Sequence, residues 1–248
     1  LDLSKADDIS AQLRRATEQA NTAAQHEILR KLLTLYSAPC AEFQASSSIL
    51  NEVILVASTK DVQLKRLAYQ FIRSVIIEKS PSLGILSVNQ LLADIKARDH
   101  LIRGLALRTL TALLTESTVF SLTMNAIQVC LHDPSPYVRR AAVIGYLKIA
   151  RVCHDLPLSE PALKEVLLSA LNDNDQSVVS AALLALKDLP LSKRLEVDLI
   201  GLLSRLSEFS VWGQCAVIEL VISCQPGNEQ EIVDLMEFLS DRLSSHSP

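Results

Sequence analysis

Five stretches decide the fold: Asp61–Ile72 (DVQLKRLAYQFI), Asp99–Leu110 (DHLIRGLALRTL), Ser135–Leu147 (SPYVRRAAVIGYL), Asn174–Leu186 (NDQSVVSAALLAL) and Ser210–Leu220 (SVWGQCAVIEL). Each run holds an apolar residue that opens the recurring register, at Leu64, Ile102, Val138, Val178 or Trp212, and has alanine four places later, at Ala68, Ala106, Ala142, Ala182 or Ala216. Successive starts are 38, 36, 40 and 34 residues apart. That spacing holds two helices and two tight turns. An apolar side chain followed by a small alanine one turn on lets the second helix of such a pair lie close to its neighbours. One pair cannot bury its own apolar face, so pairs must stack. The predicted class is all-α, a HEAT/armadillo-like superhelical solenoid forming one continuous domain over 1–248. A single large helix bundle would not require one alanine-centred register to recur.

The rest of the chain reads the same way. Helical periodicity predicts elements near 7–19, 23–36, 41–57, 61–77, 85–96, 100–114, 118–131, 136–152, 158–171, 175–188, 192–206, 210–224 and 228–244. Pro81, Pro136, Pro157, Pro161 and Pro190 fall at junctions or first turns, and Asp133, Asn172, Asp173 and Asn174 offer capping oxygens. Apolar types make up 49% of residues and aromatics 4%, so the core is built from Leu, Ile, Val and Ala. Six glycines are too few for a multi-hairpin sheet protein, and no glycine-rich phosphate loop occurs. Gly213 is expected to permit a close backbone approach, with Trp212 filling the space between repeats.

Five cysteines, Cys40, Cys130, Cys153, Cys215 and Cys224, lie in apolar helical sequence and read as reduced core thiols. The sequence has no run of 18 apolar residues and no export segment at its start, so an intracellular, non-spanning protein is expected. The first residue is not methionine, and the last residues fall where another repeat junction would be, which suggests a piece of a longer chain. Cys130, His132, Cys153 and His154 have the residue types of a zinc site. They sit at opposite ends of a predicted helix of about sixteen residues, or ~24 Å, whereas ligands must lie ~2–2.3 Å from one metal. No metal, cofactor or catalytic residue is therefore expected.

The segments Ile102–Leu110 (IRGLALRTL) and Asp133–Val143 (DPSPYVRRAAV) resemble the trunk of the large beta subunits of clathrin-adaptor complexes, the adaptin family. Leu64–Tyr69 (LKRLAY), Asn172–Leu183 (NDNDQSVVSAAL) and Trp212–Gln214 (WGQ) are similar to that family's neighbouring repeats, in the same order. The chain diverges at Asp99-His100-Leu101, where the family commonly has Asn-Pro, and at Val211, where it has an acidic residue. The resemblance implies a subunit that joins a second large chain and a medium and a small one. It also implies recruitment to Golgi, endosomal or other vesicle membranes by an Arf-type small GTPase, and a role in cargo sorting. A HEAT-repeat scaffold outside vesicle coats, such as a transport receptor or regulatory subunit, is the alternative.

Charge is uneven. Residues 1–151 hold 18 Lys or Arg against 13 Asp or Glu, and residues 152–248 hold 6 against 15. The excess in the first part is too dispersed, and too poor in stacking aromatics, for nucleic acid. Lys65, Arg66, Arg103, Arg139 and Arg140 recur just after the opening apolar residue of their repeats. They form a candidate edge for a partner subunit, a GTPase or an anionic surface. The competing expectation is that they pair with Asp61, Asp99 and Asp133 across inter-repeat turns.

Overall fold

The computed structural model describes residues 3–37, 47–78, 85–113, 117–152, 160–188, 199–223 and 229–244. They form α1 (Leu3–Glu18), α2 (Thr22–Ser37), α3 (Ser47–Ala57), α4 (Val62–Glu78), α5 (Ile85–Asp94), α6 (His100–Leu110), α7 (Ser117–Leu131), α8 (Pro136–Val152), α9 (Glu160–Leu171), α10 (Gln176–Asp188), α11 (Leu199–Ser204), α12 (Val211–Ser223) and α13 (Glu229–Ser244). No strand occurs among the described residues, and none of their helices is long and apolar enough to cross a membrane. The class is all-α and HEAT/armadillo-like.

The chain divides into two compact units, Leu1–Val152 and Cys153–Pro248. In the first, α1 pairs with α2, α3 with α4, α5 with α6 and α7 with α8. The first helices of the pairs stack in one layer, α1 on α3 on α5 on α7, and the second helices in another, α2 on α4 on α6 on α8. In the second unit α9 pairs with α10, α10 stacks on α12, and α11 packs against α12 and α13. The largest fully buried side chains include Tyr69, Tyr146, Phe71, Leu64 and Leu91. Burying one such Leu stabilises the fold by about 1.5–3 kcal/mol, so the stacked faces dominate over helix propensity.

One local rule sets the register of α4, α6, α8, α10 and α12. The carbonyls of Asp61, Asp99, Ser135, Asp175 and Ser210 accept from the amides of Lys65, Arg103, Arg139, Val179 and Gln214, so these five residues are the N-caps. Side chains complete most of them: Asp61 accepts from Gln63 and Leu64, Asp99 from Leu101, Asp175 from Ser177 and Ser210 from Gly213. Before Ser135, Asp133 Oδ1 takes the Ser135 amide at 2.8 Å, and Asp173 does the same for Asp175. The third and seventh residues after each cap point inward. They are Leu64 and Ala68, Ile102 and Ala106, Val138 and Ala142, Val178 and Ala182, and Gly213 and Val217, all buried.

The fifth pair corrects the sequence reading by one residue. Counted from Ser210, the inward positions are Gly213 and Val217; Ala216 is half-buried and Trp212 is 85% exposed. Trp212 therefore does not fill an inter-repeat space. Gly213 has the crowded place, where an added Cβ would lie 3.0 Å from Phe209 Cβ and 3.2 Å from Ser180 Oγ.

Helix ends differ modestly from expectation. The element expected over 192–206 ends at Ser204, is described only from Leu199, and gives way to a 3-10 turn at Leu206–Glu208. Arg205, at φ −91° and ψ 7°, breaks it. The first helix closes on Ala20 at φ 50°, with the Asn21 amide reaching back to the Ala16 carbonyl, and Asn21 then caps Ala24.

Candidate partner-binding surface

The five basic residues singled out in the sequence divide by their distance from the cap. Lys65, Arg103 and Arg139 are each the fourth residue after it, and each folds back onto the turn it has just left. Arg103 Nη1 donates to the carbonyls of Ala97 and Arg98 at 3.0 and 2.7 Å. Arg139 Nη1 does the same to Asp133 and Pro134 at 2.9 and 3.1 Å. Lys65 Nζ donates to the carbonyl of Ala57, the last residue of α3, at 2.5 Å, where a cation also suits the helix dipole. These side chains tie turns that would otherwise present unsatisfied carbonyls.

Two of them also reach the next repeat. Lys65 is 3% exposed and meets Asp94 Oδ2 at 2.6 Å, while Tyr69 Oη donates to the same oxygen and Gln90 Nε2 to Oδ1 at 3.2 Å. Burial and then Asp94 hold the Tyr69 phenol well above its ordinary range. Lys65 thus belongs to an interior network and not to an exposed edge. Arg103 forms a two-pronged pair with Asp133, Nε to Oδ2 and Nη2 to Oδ1, both at 2.7 Å. Burial pushes Asp133 upward, but the Arg103 hydrogen bond, the Ser135 amide and the charges of Arg103 and Arg139 outweigh it and lower its pKa. Asp61 and Asp99 serve as caps, Asp61 with His26 Nε2 at 3.5 Å, so of the three expected carboxylates only Asp133 receives an arginine.

Arg66 and Arg140 are the fifth residues after their caps, and both are exposed. Between their repeats the fifth position is Gly104, where an added Cβ would lie 2.3 Å from Tyr137 Cε1. The candidate edge is therefore interrupted at α6 and is carried by these two arginines, not by all five basic residues.

The second unit satisfies the same turn from the other side. Its fourth position is Val179, fully buried, and the carbonyls that Arg103 and Arg139 bind in their own repeats correspond here to Asp173 and Asn174. Arg205, from the following repeat, donates to both, at 3.2 and 3.5 Å. Gln214, fourth after Ser210, returns to the local pattern by donating to the Phe209 carbonyl at 3.0 Å. Sequence reading missed Arg205 and Asp94 because each acts on a residue about thirty positions away.

Two of the cysteines lie among the described residues, both as free thiols. Cys130 is buried, and burial foremost pushes its thiol up to about 11. Cys215 is exposed on α12 and is not a core thiol. Cys40, Cys153, Cys224 and His154 lie outside the described residues, so the Cys130–His132–Cys153–His154 grouping has no described geometry. Among the described residues no group of three or more His, Cys, Asp or Glu could hold a metal ion.

The helical pairs are similar in fold to an engineered protein of known crystal structure, with a TM-score of 0.54 at 16% identity over 85% of this chain and 93% of that one. A computationally designed armadillo repeat protein matches at 0.52 and 14% identity, over 94% of this chain and 98% of that one. In sequence, the AP-4 complex subunit beta of Dictyostelium discoideum is 34% identical over 203 residues, 80% of this chain and 23% of that protein. The beta-adaptin-like protein A of Arabidopsis thaliana is 32% identical over 79% of this chain and 25% of its own length, and the AP-4 complex subunit beta-1 of Mus musculus 29% over 81% and 27%. The chain thus spans about a quarter of the length of these relatives. The model of the adaptin N-terminal region matches residues 5–248, and the chain belongs to that family.

Proposed function

We propose that this chain is the trunk region of an adaptor-complex large subunit of beta type, a binding scaffold and not an enzyme, which helps assemble vesicle coats and sort cargo in intracellular protein transport. The observation that carries the reading is the family match over residues 5–248, together with beta-subunit relatives that align over about four-fifths of the chain. In this reading residues 1–248 form one continuous solenoid. Its partners are a second large chain, a medium and a small subunit, and nucleic acid is not among them. Recruitment from the cytoplasm to Golgi, endosomal or other vesicle membranes is peripheral and depends on an Arf-type GTPase.

A stacked-helix surface suits this role physically. Each repeat is held by its neighbours and presents side chains at regular intervals, so a long partner is met at many points without a cleft. The test is affinity purification of the full-length protein from cells, with stoichiometric partners identified by mass spectrometry. Medium- and small-type adaptor chains in equal amounts support the proposal. Kinase, phosphatase or nuclear-transport components with no adaptin partner overturn it in favour of a scaffold outside coats.

A further inference from the structure

The positive charge of the first unit is concentrated on one layer of helices. The second helices, α2, α4, α6 and α8, carry eleven basic residues against two acidic ones, Glu27 and Glu78, and nine of the eleven are on α4, α6 and α8: Lys65, Arg66, Arg73, Arg103, Arg108, Arg139, Arg140, Lys148 and Arg151. The first helices of the unit, α1, α3, α5 and α7, carry three basic residues against five acidic ones. Lys65, Arg103 and Arg139 are engaged with turns, as described above. Arg66, Arg73, Arg108 and Arg140 are exposed, and Lys148 is half-buried. Neither these four arginines nor Lys148 forms an ion pair with a described residue.

Packing places the central members of this set together. Gly104 of α6 abuts Tyr137 of α8, and Thr111, just past the end of α6, abuts Gly145, where an added Cβ would lie 2.8 Å from Thr111 Cγ2. The two helices therefore run side by side in the same direction. Arg108 lies between Gly104 and Thr111 on that stripe, and Lys148 one turn beyond Gly145 on the matching stripe of α8. Arg73 is twelfth after its cap on α4, the place that Thr111 has relative to Asp99, so it lies on the side of α4 that faces α6. Burial first, then the charges of Arg73 and Arg108, depress the Lys148 pKa, so three successive helices aim like charge at one place.

We propose that the exposed face of α4, α6 and α8, centred on Arg73, Arg108 and Lys148, docks an extended acidic peptide segment of a partner protein. Like charges brought together with no described residue paired to them are unfavourable in the free chain and are relieved by a polyanion. Stacked helices lie about 8–10 Å apart, and an extended chain advances about 3.3 Å per residue, so carboxylates on every third residue meet successive helices. Arginine outnumbers lysine four to one among these five groups, and its planar fork matches a carboxylate. Leu105 and Ile144, half-buried on the same faces, offer apolar contacts for the side chains between. Half-buried Lys148 is within reach of a slender chain laid across the seam but set back from a flat lipid surface.

The experiment is fluorescence anisotropy of the 248-residue chain with a labelled peptide of repeating Glu-Leu-Ser, about nine residues long, and its Gln-Leu-Ser counterpart. The acidic peptide binds and the neutral one does not. Arg73→Glu with Arg108→Glu weakens binding by about tenfold or more, Arg73→Lys with Arg108→Lys by about threefold, and Arg15→Glu, an exposed reversal on α1, by less than about twofold. Circular dichroism melts establish that each variant is folded, and Arg73→Gln with Arg108→Gln replaces the reversal if that variant is not. The proposal is overturned if the chain ignores the acidic peptide, or if Arg15→Glu loses as much as the double reversal. It is equally overturned if phosphatidylserine vesicles bind this face and the peptide does not displace them, which would make it a membrane surface.

Discussion

The two units use the same turn and hold it differently. In three of the four pairs of the first, those ending in α4, α6 and α8, the fourth residue after the cap is a cation that folds back on the turn of its own repeat, and Lys65 and Arg103 extend to a carboxylate of the next; in α2 that place is taken by Gln25. In the second, Val179 is buried at that position and Arg205 reaches back from the following repeat to the vacated carbonyls. Before α6, α8 and α10 the same two carbonyls meet a guanidinium donor, whichever helix supplies it. Satisfying them locally leaves the second helices of the first unit rich in positive charge. In the second unit α12 instead carries large apolar side chains on its outer side, with Val211, Trp212 and Ile222 exposed.

The largest expected effect tests how far the first unit depends on its inter-repeat pairs. Asp94→Ala leaves the Lys65 ammonium and the Tyr69 hydroxyl buried without their shared acceptor, and breaking a buried pair from one side destabilises by about 3–5 kcal/mol. Urea unfolding measures it. A loss below about 1 kcal/mol would mean that the pair is solvated in solution, and the contrast with the second unit would then lapse.

Next is the register itself. Ala142→Phe forces a ring into a site with no exposure and destabilises by about 1–3 kcal/mol, whereas Ala216→Phe, at a half-buried site outside the inward register, changes stability by less than about 1 kcal/mol. Equal losses would restore Trp212 and Ala216 as the fifth inward pair. The four earlier pairs were legible because an apolar residue and an alanine one turn apart are a local pattern. The fifth misled because Trp212 is the larger apolar residue, and only the hydrogen bonds of Ser210 show that counting starts one residue later. The basic edge was half legible for a related reason. Position after the cap decides whether a cation folds back or faces out, while Asp94, 29 residues from Lys65, is reached only by stacking.

The Arg103–Asp133 pair makes a pH prediction. Asp133 is held below its ordinary carboxylate value in the folded chain, so its contribution is fully present above the unfolded pKa, about 3.9, and is lost as pH falls through the folded value. Between about pH 6 and pH 3 the urea midpoint of the native chain therefore drops more than that of Arg103→Gln, in which the main cause of the lowering is gone. Parallel pH profiles would show that Asp133 acts as a cap and not through its arginine. The matching change in the second unit is Arg205→Gln, which removes two long hydrogen bonds from a residue 28% exposed and costs about 0.5–1.5 kcal/mol. Hydrogen exchange should then quicken in the turn at 172–175, and protection unchanged there would show that the turn is held without Arg205.

The smallest effect belongs to Trp212. A tryptophan that fills a gap between repeats costs about 3–5 kcal/mol when cut to alanine, but one that is 85% exposed changes stability by no more than about 0.5 kcal/mol. The chain has a single tryptophan, so its fluorescence reports this site alone. In the isolated chain the emission should resemble that of indole in water and be quenched readily by iodide, and Trp212→Ala should unfold at the native urea midpoint. Blue-shifted, protected emission with a large loss of stability would put the indole between repeats and return the fifth register to Trp212. Red-shifted emission that moves to the blue only when a partner subunit is added would sharpen the contrast instead, because the second unit would then meet its partners through apolar surface where the first offers charge.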